Sequence, residues 1–354
     1  MSGALRQADP HERYRLTGGL RDAAALDGAR SGGPAGDGWF RCRVSRADLK
    51  RLMQRSDAAG LANFGPWLLL LAGSGGLAWL AWGSWWAVPA FLLYGTLYTS
   101  SDAHWHECAH GTAFRSRWLN EAFYHLTSFM CLREAHLWRW SHARHHTETM
   151  IAGRDPEITV PRPANLPGIL ADFLYLNSGL VELRKIVGHA FGRVSPAVRE
   201  FVPEAERPKM IRISRIYVAV VLVTAGGCVA LASPLPLLFV FLPRFYGAWF
   251  HQLCVLTQHA GLAENERDHR LSTRTVEMNP VARFLYVNMN YHLEHHMFPT
   301  VPFHALPRLH EAVKDQMPPP YQGFLDAYRE ILPTLIRQAR DPGYYVRRPL
   351  PAAA

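Results

Sequence analysis

Histidine supplies the chemistry in this chain. The 18 histidines include three tight groups: His106 and His110 in "HECAH", His142, His145 and His146 in "HARHH", and His292, His295 and His296 in "HLEHH". On a helix, residues three and four apart share a face, so each group presents two or three imidazoles in one direction. A neutral imidazole offers a lone pair, and a converging set of them is what a metal ion requires. Eight imidazoles exceed the roughly four to six ligands that one first-row ion takes, and suffice for two. The pattern therefore predicts a dinuclear site. Imidazole suits zinc, copper, iron and nickel alike, so ligand type leaves the metal open. A zinc hydrolase would mix in carboxylates and needs no membrane, whereas a site at a bilayer surface suits a greasy substrate and an inert C–H bond.

A ninth candidate ligand is His259, at the end of an apolar segment in "QLCVLTQHAGL". His251, two helical turns earlier, points the same way but deeper. Glu107, Asp155, Glu294, Asn288 and Asn290 flank the groups and are candidates to orient imidazole N–H bonds from outside. Surface ion pairs account for any one of these acids equally well. The scattered His104, His125, His136, His189, His269, His304 and His310 read as ordinary core or interface residues.

The elements that must hold these groups are apolar. Residues 64–100 contain no charged side chain, and residues 217–258 form a second apolar block. Each is long enough for two spans of about 17–20 residues. The first turns at "WGSWW", whose tryptophans suit a membrane–water interface, and the second at "SPLP". The expected fold is an all-α integral membrane protein. Four transmembrane helices, at about 64–82, 85–103, 214–232 and 236–257, form two hairpins, and a cytoplasmic helical cap carries the di-metal site. The two turns are uncharged, while the flanking regions hold nearly all the Lys and Arg, so those regions and both termini face the cytoplasm. Residues 1–40 read as a flexible cytoplasmic leader without a signal peptide, 41–312 as the membrane domain, and 313–354 as a C-terminal helix and tail. "SRADLKRLMQR" reads as a short basic helix capped by Ser45. Arg244 is the one charge at membrane depth, and pairs with a buried acid, snorkels to the interface or binds substrate.

Five scattered cysteines with no C-x-x-C pair exclude a disulfide framework and a zinc ribbon. The net charge of +9 is explained by topology and anionic lipid, without nucleic acid.

"HECAH", "HARHH", Gln258–His259 and "YHLEHHMFPTVP", taken in order around two hairpins, resemble the histidine boxes of the membrane-bound fatty acid desaturase superfamily. The resemblance covers roughly residues 60–312. It implies that His106, His110, His142, His145, His146, His259, His292, His295 and His296 bind two iron ions, with O2 as co-substrate, in a bacterial inner membrane. The third box begins with His, where front-end desaturases fused to a cytochrome often have Gln. No H-P-G-G heme segment flanks the boxes, so electrons are expected from a separate ferredoxin or cytochrome b5-like donor.

Desaturation of a fatty acyl or other lipid chain is the first reading, because the third box lacks the longer form of the alkane hydroxylases. Hydroxylation or ketolation of a lipid or carotenoid shares the same boxes, and desaturation of a small polar metabolite is left open by Arg244. From another class, a metal transporter would place its ligands at mid-membrane, and a b-type heme carrier would pair histidines across facing spans.

Overall fold

The computed structural model describes residues 12–16 and 38–351. Among them the chain is helical throughout, with no strand and a single isolated bridge between Val276 and Tyr321. Most of the leader, residues 1–40, lies outside the described residues.

Helix α1 (Arg46–Leu52) starts where Ser45 accepts from Asp48 N–H at 3.0 Å, the cap its sequence signals. Helix α2 (Asp57–Leu80) starts on Ser56, and Asp57 accepts from both the N–H and the hydroxyl of Ser116. Among the described residues two helices are long and apolar enough to cross a membrane: α2 and the stretch Glu204–Ala230. The latter is mostly one α-helix, Arg207–Ala230. At 1.5 Å per residue, 24 residues reach about 36 Å, more than the roughly 30 Å of a hydrocarbon core. Both turn large apolar side chains outward, Leu69, Leu80, Val223 and Val229 among them, and Trp85 and Trp86 stand exposed at the first turn.

The other two expected spans differ from the plan. The first return leg is helix α3 (Ala87–Thr99), which passes through Ser100, itself helical in conformation, directly into α4 (Ser101–Ala109). The second is broken into Leu235–Val240, Pro243–Tyr246 and α9 (Trp249–His259). Pro243 has no N–H for the Phe239 carbonyl, which Tyr94 OH takes instead at 2.9 Å. Tyr98 OH donates to Val240 O at 2.7 Å and Thr99 Oγ1 to Gly247 O at 2.7 Å. Helix α3 thus supplies hydroxyls to the carbonyls that the breaks release. The two backbones touch at Gly95 and Gly247, where a Cβ on Gly247 would stand 2.0 Å from Gly95 O.

Helix α5 (Arg117–Met130) locks the first two histidine boxes together. Its Asn120 donates to Cys108 O at 2.8 Å, at the end of α4, and its Tyr124 OH donates to Ala135 O at 2.6 Å, at the start of α6 (Ala135–Thr147). Helix α7 (Leu176–Ala190) precedes the second long helix, α8 (Arg207–Ala230). The third box forms the short helix α10 (His292–Met297), followed by α11 (Leu306–Val313) and α12 (Phe324–Gln338). Helix α12, expected in a separate C-terminal segment, puts Ala327, Ile331 and Leu335 into the same core as Trp105, Tyr124 and Phe64.

Candidate metal centre

Every residue of α4 from Ser101 to Cys108 is buried, so the first box projects into the protein interior. The nine histidines singled out from the sequence meet there, from α4, α6, α9 and α10. Their ligand atoms form two groups: His106, His110, His142, His146 and His295 in one, His145, His259, His292 and His296 in the other.

The partition follows from helix geometry. At about 100° per residue, positions i and i+4 lie within about 40° of each other, whereas i+3 lies on the other side of i by about 60°. An H-x-x-H-H phrase therefore aims its outer pair one way and its middle histidine another. His142 and His146 join the first group while His145 joins the second; His292 and His296 join the second while His295 joins the first. The second and third boxes thus each contribute to both groups, while His106 and His110 of the first box both join the first group, and His146 stacks on His296 across the boundary at 4.3 Å between ring centres.

The contacts fit a cation. In the first group the Nε2 atoms run His106 to His295 (2.9 Å), His295 to His110 (3.1 Å), His110 to His142 (3.0 Å) and His142 to His146 (3.2 Å). A neutral ring nitrogen carries either one proton or one lone pair, so a chain of five such atoms sustains only two ordinary N–H···N bonds. A cation shared between the rings would account for the remaining contacts. A metal–nitrogen bond of about 2.0–2.1 Å places neighbouring ligands about 3.0 Å apart in an octahedron and about 3.4 Å apart in a tetrahedron. In the second group His292 Nε2 lies 3.1 Å from both His259 Nε2 and His296 Nε2.

Outer partners set the tautomers. His145 Nδ1 donates to Asp155 at 2.9 Å and His259 Nδ1 to the Ser272 carbonyl at 2.8 Å. The hydroxyl hydrogen of Thr149 goes to His145 O, so its oxygen accepts from His296 Nδ1 at 3.0 Å. In all three the proton sits on Nδ1, and Nε2 faces inward with a bare lone pair. Glu157 meets His142 Nδ1 at 3.0 Å and Ser141 at 2.8 Å. Burial, reinforced by neighbouring imidazoles, holds His106, His142, His146, His292, His295 and His296 well below the usual histidine range. It brings His110 and His259 down to about 3. His145 is also pulled down by burial, but Asp155 outweighs this and the net shift is upward. Neutral rings with inward lone pairs are a ligand set compatible with a metal site.

Of the five residues expected to orient imidazoles, only Asp155 touches one of the nine. Glu107 accepts from Phe303 N–H at 3.1 Å, and burial pushes its carboxyl up to about 7. Glu294 accepts from Thr275 Oγ1 at 2.5 Å and from His310. Asn288 holds a left-handed turn with Val287 by donating to Phe303 O and accepting from Arg283. Asn290 donates to Val276 O at 2.8 Å. These four anchor the backbone that carries the third box. His251 lies outside both groups, 3.4 Å from Asp102, and Arg244 pairs with the same carboxylate at 2.9 Å. The seven scattered histidines also lie outside: His104 bonds Ser100 O and Asn63, and His189 bonds Glu134. Sequence reasoning missed Glu157, Thr149 and Ser272. The "DPE" run after the second box offered both carboxylates; the other two act through a hydroxyl and a backbone carbonyl, which no residue pattern announces.

A cavity of about 240 Å³ opens beside both groups, reaching His106 and His142 of the first and His145, His259 and His292 of the second.

The family model described as fatty acid desaturase matches residues 83–327. A probable fatty acid desaturase of Sorghum bicolor is 25% identical over 271 residues, covering 67% of this chain and 64% of that protein. An sn-1 acyl-lipid omega-3 desaturase (ferredoxin) of Synechocystis is 40% identical over 67 residues, 19% of each chain. One of the same description from Nostoc is 36% identical over 67 residues, again 19% of each. The matched stretches thus span less than two thirds of these relatives' lengths.

Proposed function

We propose, from the premise that this chain belongs to the fatty acid desaturase family, that it is a di-iron enzyme using O2 and two electrons to place a double bond in an unactivated alkyl chain. The observation that carries the reading is the gathering of nine inward-facing imidazoles into two adjoining groups beside one cavity. Two irons bound there would supply the activation of O2 needed to break an unreactive C–H bond. His106, His110, His142, His146 and His295 would hold one, and His145, His259, His292 and His296 the other.

The chain's own contribution is positioning. Asp155, Ser272 O and Thr149 fix three rings with Nε2 inward before any ion binds. Trp105, Trp138 and Tyr286 supply an aromatic part of the cavity wall, against which an alkyl chain can pack. Nε2 atoms about 3 Å apart leave no space for a porphyrin between them, which disfavours the heme reading. All four apolar segments are read as crossing the bilayer, with the site and both termini on the cytoplasmic side, as the uncharged turns indicate. The broken return leg is compatible with membrane depth because α3 hydroxyls satisfy its freed carbonyls. Electrons would come from a separate donor of the ferredoxin or cytochrome b5 class; two of the relatives carry ferredoxin in their names.

Membranes containing the protein, incubated with O2, reduced ferredoxin and candidate acyl lipids, test the reaction by mass spectrometry of the products. Loss of two hydrogens is the expected result. Gain of one oxygen would replace desaturation by hydroxylation on the same site, and an unchanged substrate pool with metal moved across vesicles would point to transport.

A further inference from the structure

The cavity beside the histidines is walled largely by charged and polar groups, unlike a slot for a hydrocarbon chain alone. Arg244, 1% exposed, lines it. Its Nη2 pairs with Asp102 at 2.9 Å and its guanidinium lies over the Tyr175 ring at 4.0 Å with the Tyr175 hydroxyl within reach, but Nε and Nη1 have no well-aligned hydrogen-bond partner among the described residues. Asp102 is shared, since Arg133 also pairs with it at 3.1 Å. Two cations thus divide one carboxylate in a buried place.

Two of the other acids lining the cavity are committed elsewhere, and the third in part. Glu157 bonds Ser141 and His142, Asp172 accepts from the N–H and hydroxyl of Ser178 at the start of α7, and Glu182 pairs through Oε1 with Lys185 at 2.7 Å while its Oε2 has no partner among the described residues. A buried guanidinium with two unused donors and a half share of a counter-charge is costly unless something supplies the missing anion. Metal ions at the histidine groups would add positive charge to the same space.

We infer that Arg244 binds an anionic group of the substrate, a carboxylate or phosphate oxygen, so that the enzyme takes a small free amphiphile and not the chain of an intact glycerolipid. The volume agrees: 240 Å³ falls below the roughly 300–1,000 Å³ of pockets for drug-sized ligands, and it must hold both the anionic end and the carbon that faces the histidines. Arginine suits this role because its charge persists at any ordinary pH and each unused N–H can donate a charge-assisted hydrogen bond to an oxyanion. This inference rests on the desaturase reading for its reaction, but not for its binding step.

The test is calorimetric titration of the full-length, iron-loaded protein in lipid nanodiscs with hexanoate, hexyl phosphate and hexanamide, which share a six-carbon chain. At least one anion is expected to bind about 10-fold or more tighter than the neutral amide, reflecting charge-assisted hydrogen bonds. Arg244→Gln should bring that preference to within about two-fold, and Arg244→Lys should keep part of it. Hexanoate against hexyl phosphate distinguishes a carboxylate from a phosphate end. Equal binding of all three by the unaltered protein, no binding of either anion, or an undiminished preference in Arg244→Gln would overturn the inference. The comparison among ligands on the unaltered protein needs no variant and so survives misfolding of the substitutions. Iron counted on the same samples separates the two claims: anion preference without iron removes the proposed reaction and leaves the binding site, and iron without anion preference does the reverse.

Discussion

Asp155→Asn changes one oxygen to an NH2 group and should cripple the second histidine group. Asp155 Oδ1 accepts from His145 Nδ1 at 3.0 Å and from Glu157 N–H at 2.8 Å; Oδ2 accepts from His145 Nδ1 at 2.9 Å and from Met150 N–H at 2.8 Å. Its side chain is fully buried. Whichever way asparagine is turned, its NH2 faces a backbone N–H, donor against donor. One buried donor is left unmade, at about 1–3 kcal/mol. The carboxylate that holds His145 with its proton on Nδ1 is also lost, which lowers metal affinity by roughly 10- to 100-fold. Glu157→Gln is the contrast. Its amide oxygen still accepts from His142 Nδ1, while its NH2 turns to Ser141 Oγ, which accepts as readily as it donates. The assay is iron retained against a graded chelator, with thermal unfolding of the same samples. Asp155→Asn should lose about one iron at chelator levels that the unaltered protein withstands, and Glu157→Gln should lose little. Equal losses in the two variants, or full retention by Asp155→Asn, would refute the reasoning.

Other substitutions probe the frame. Gly247→Ala would force a Cβ to within 2.0 Å of Gly95 O and drive α3 from the broken segment, so detergent-solubilised protein should unfold at markedly lower temperature, a cost of about 3 kcal/mol or more. Tyr98→Phe strands the Val240 carbonyl and should cost about 1–3 kcal/mol in the same melt without changing iron content. Glu107→Gln should leave iron content unaltered, because Glu107 meets Phe303 N–H and none of the nine imidazoles, and neutral glutamine can accept the same bond.

How much of this was legible beforehand follows the physics of each feature. The eight histidines of the three boxes could be read because helical spacing at three and four residues dictates a shared face, His259 from its place at the end of an apolar segment, and Asp155 because it is an acid close to the second box. The splitting of the second and third boxes between two groups was implicit in the same 100° step but emerges only when four helices converge. The long helices α2 and α8 were legible as uninterrupted apolar runs. The breaks around Pro243 and Gly247 were not, since their stability depends on hydroxyls from α3, more than a hundred residues away in the chain. Glu107, Glu294, Asn288 and Asn290 stand beside the boxes in sequence, yet their side chains turn to backbone or to neighbouring helices. Adjacency along a chain does not fix which way a side chain points.

The most direct measurement is iron per chain, by inductively coupled plasma mass spectrometry, in the unaltered protein and in the double variant His145→Ala/His259→Ala. Two iron ions per chain are predicted, falling to one in the variant, because both changes fall within the second group. A single ion per chain that the double variant leaves in place would contradict the two-site account.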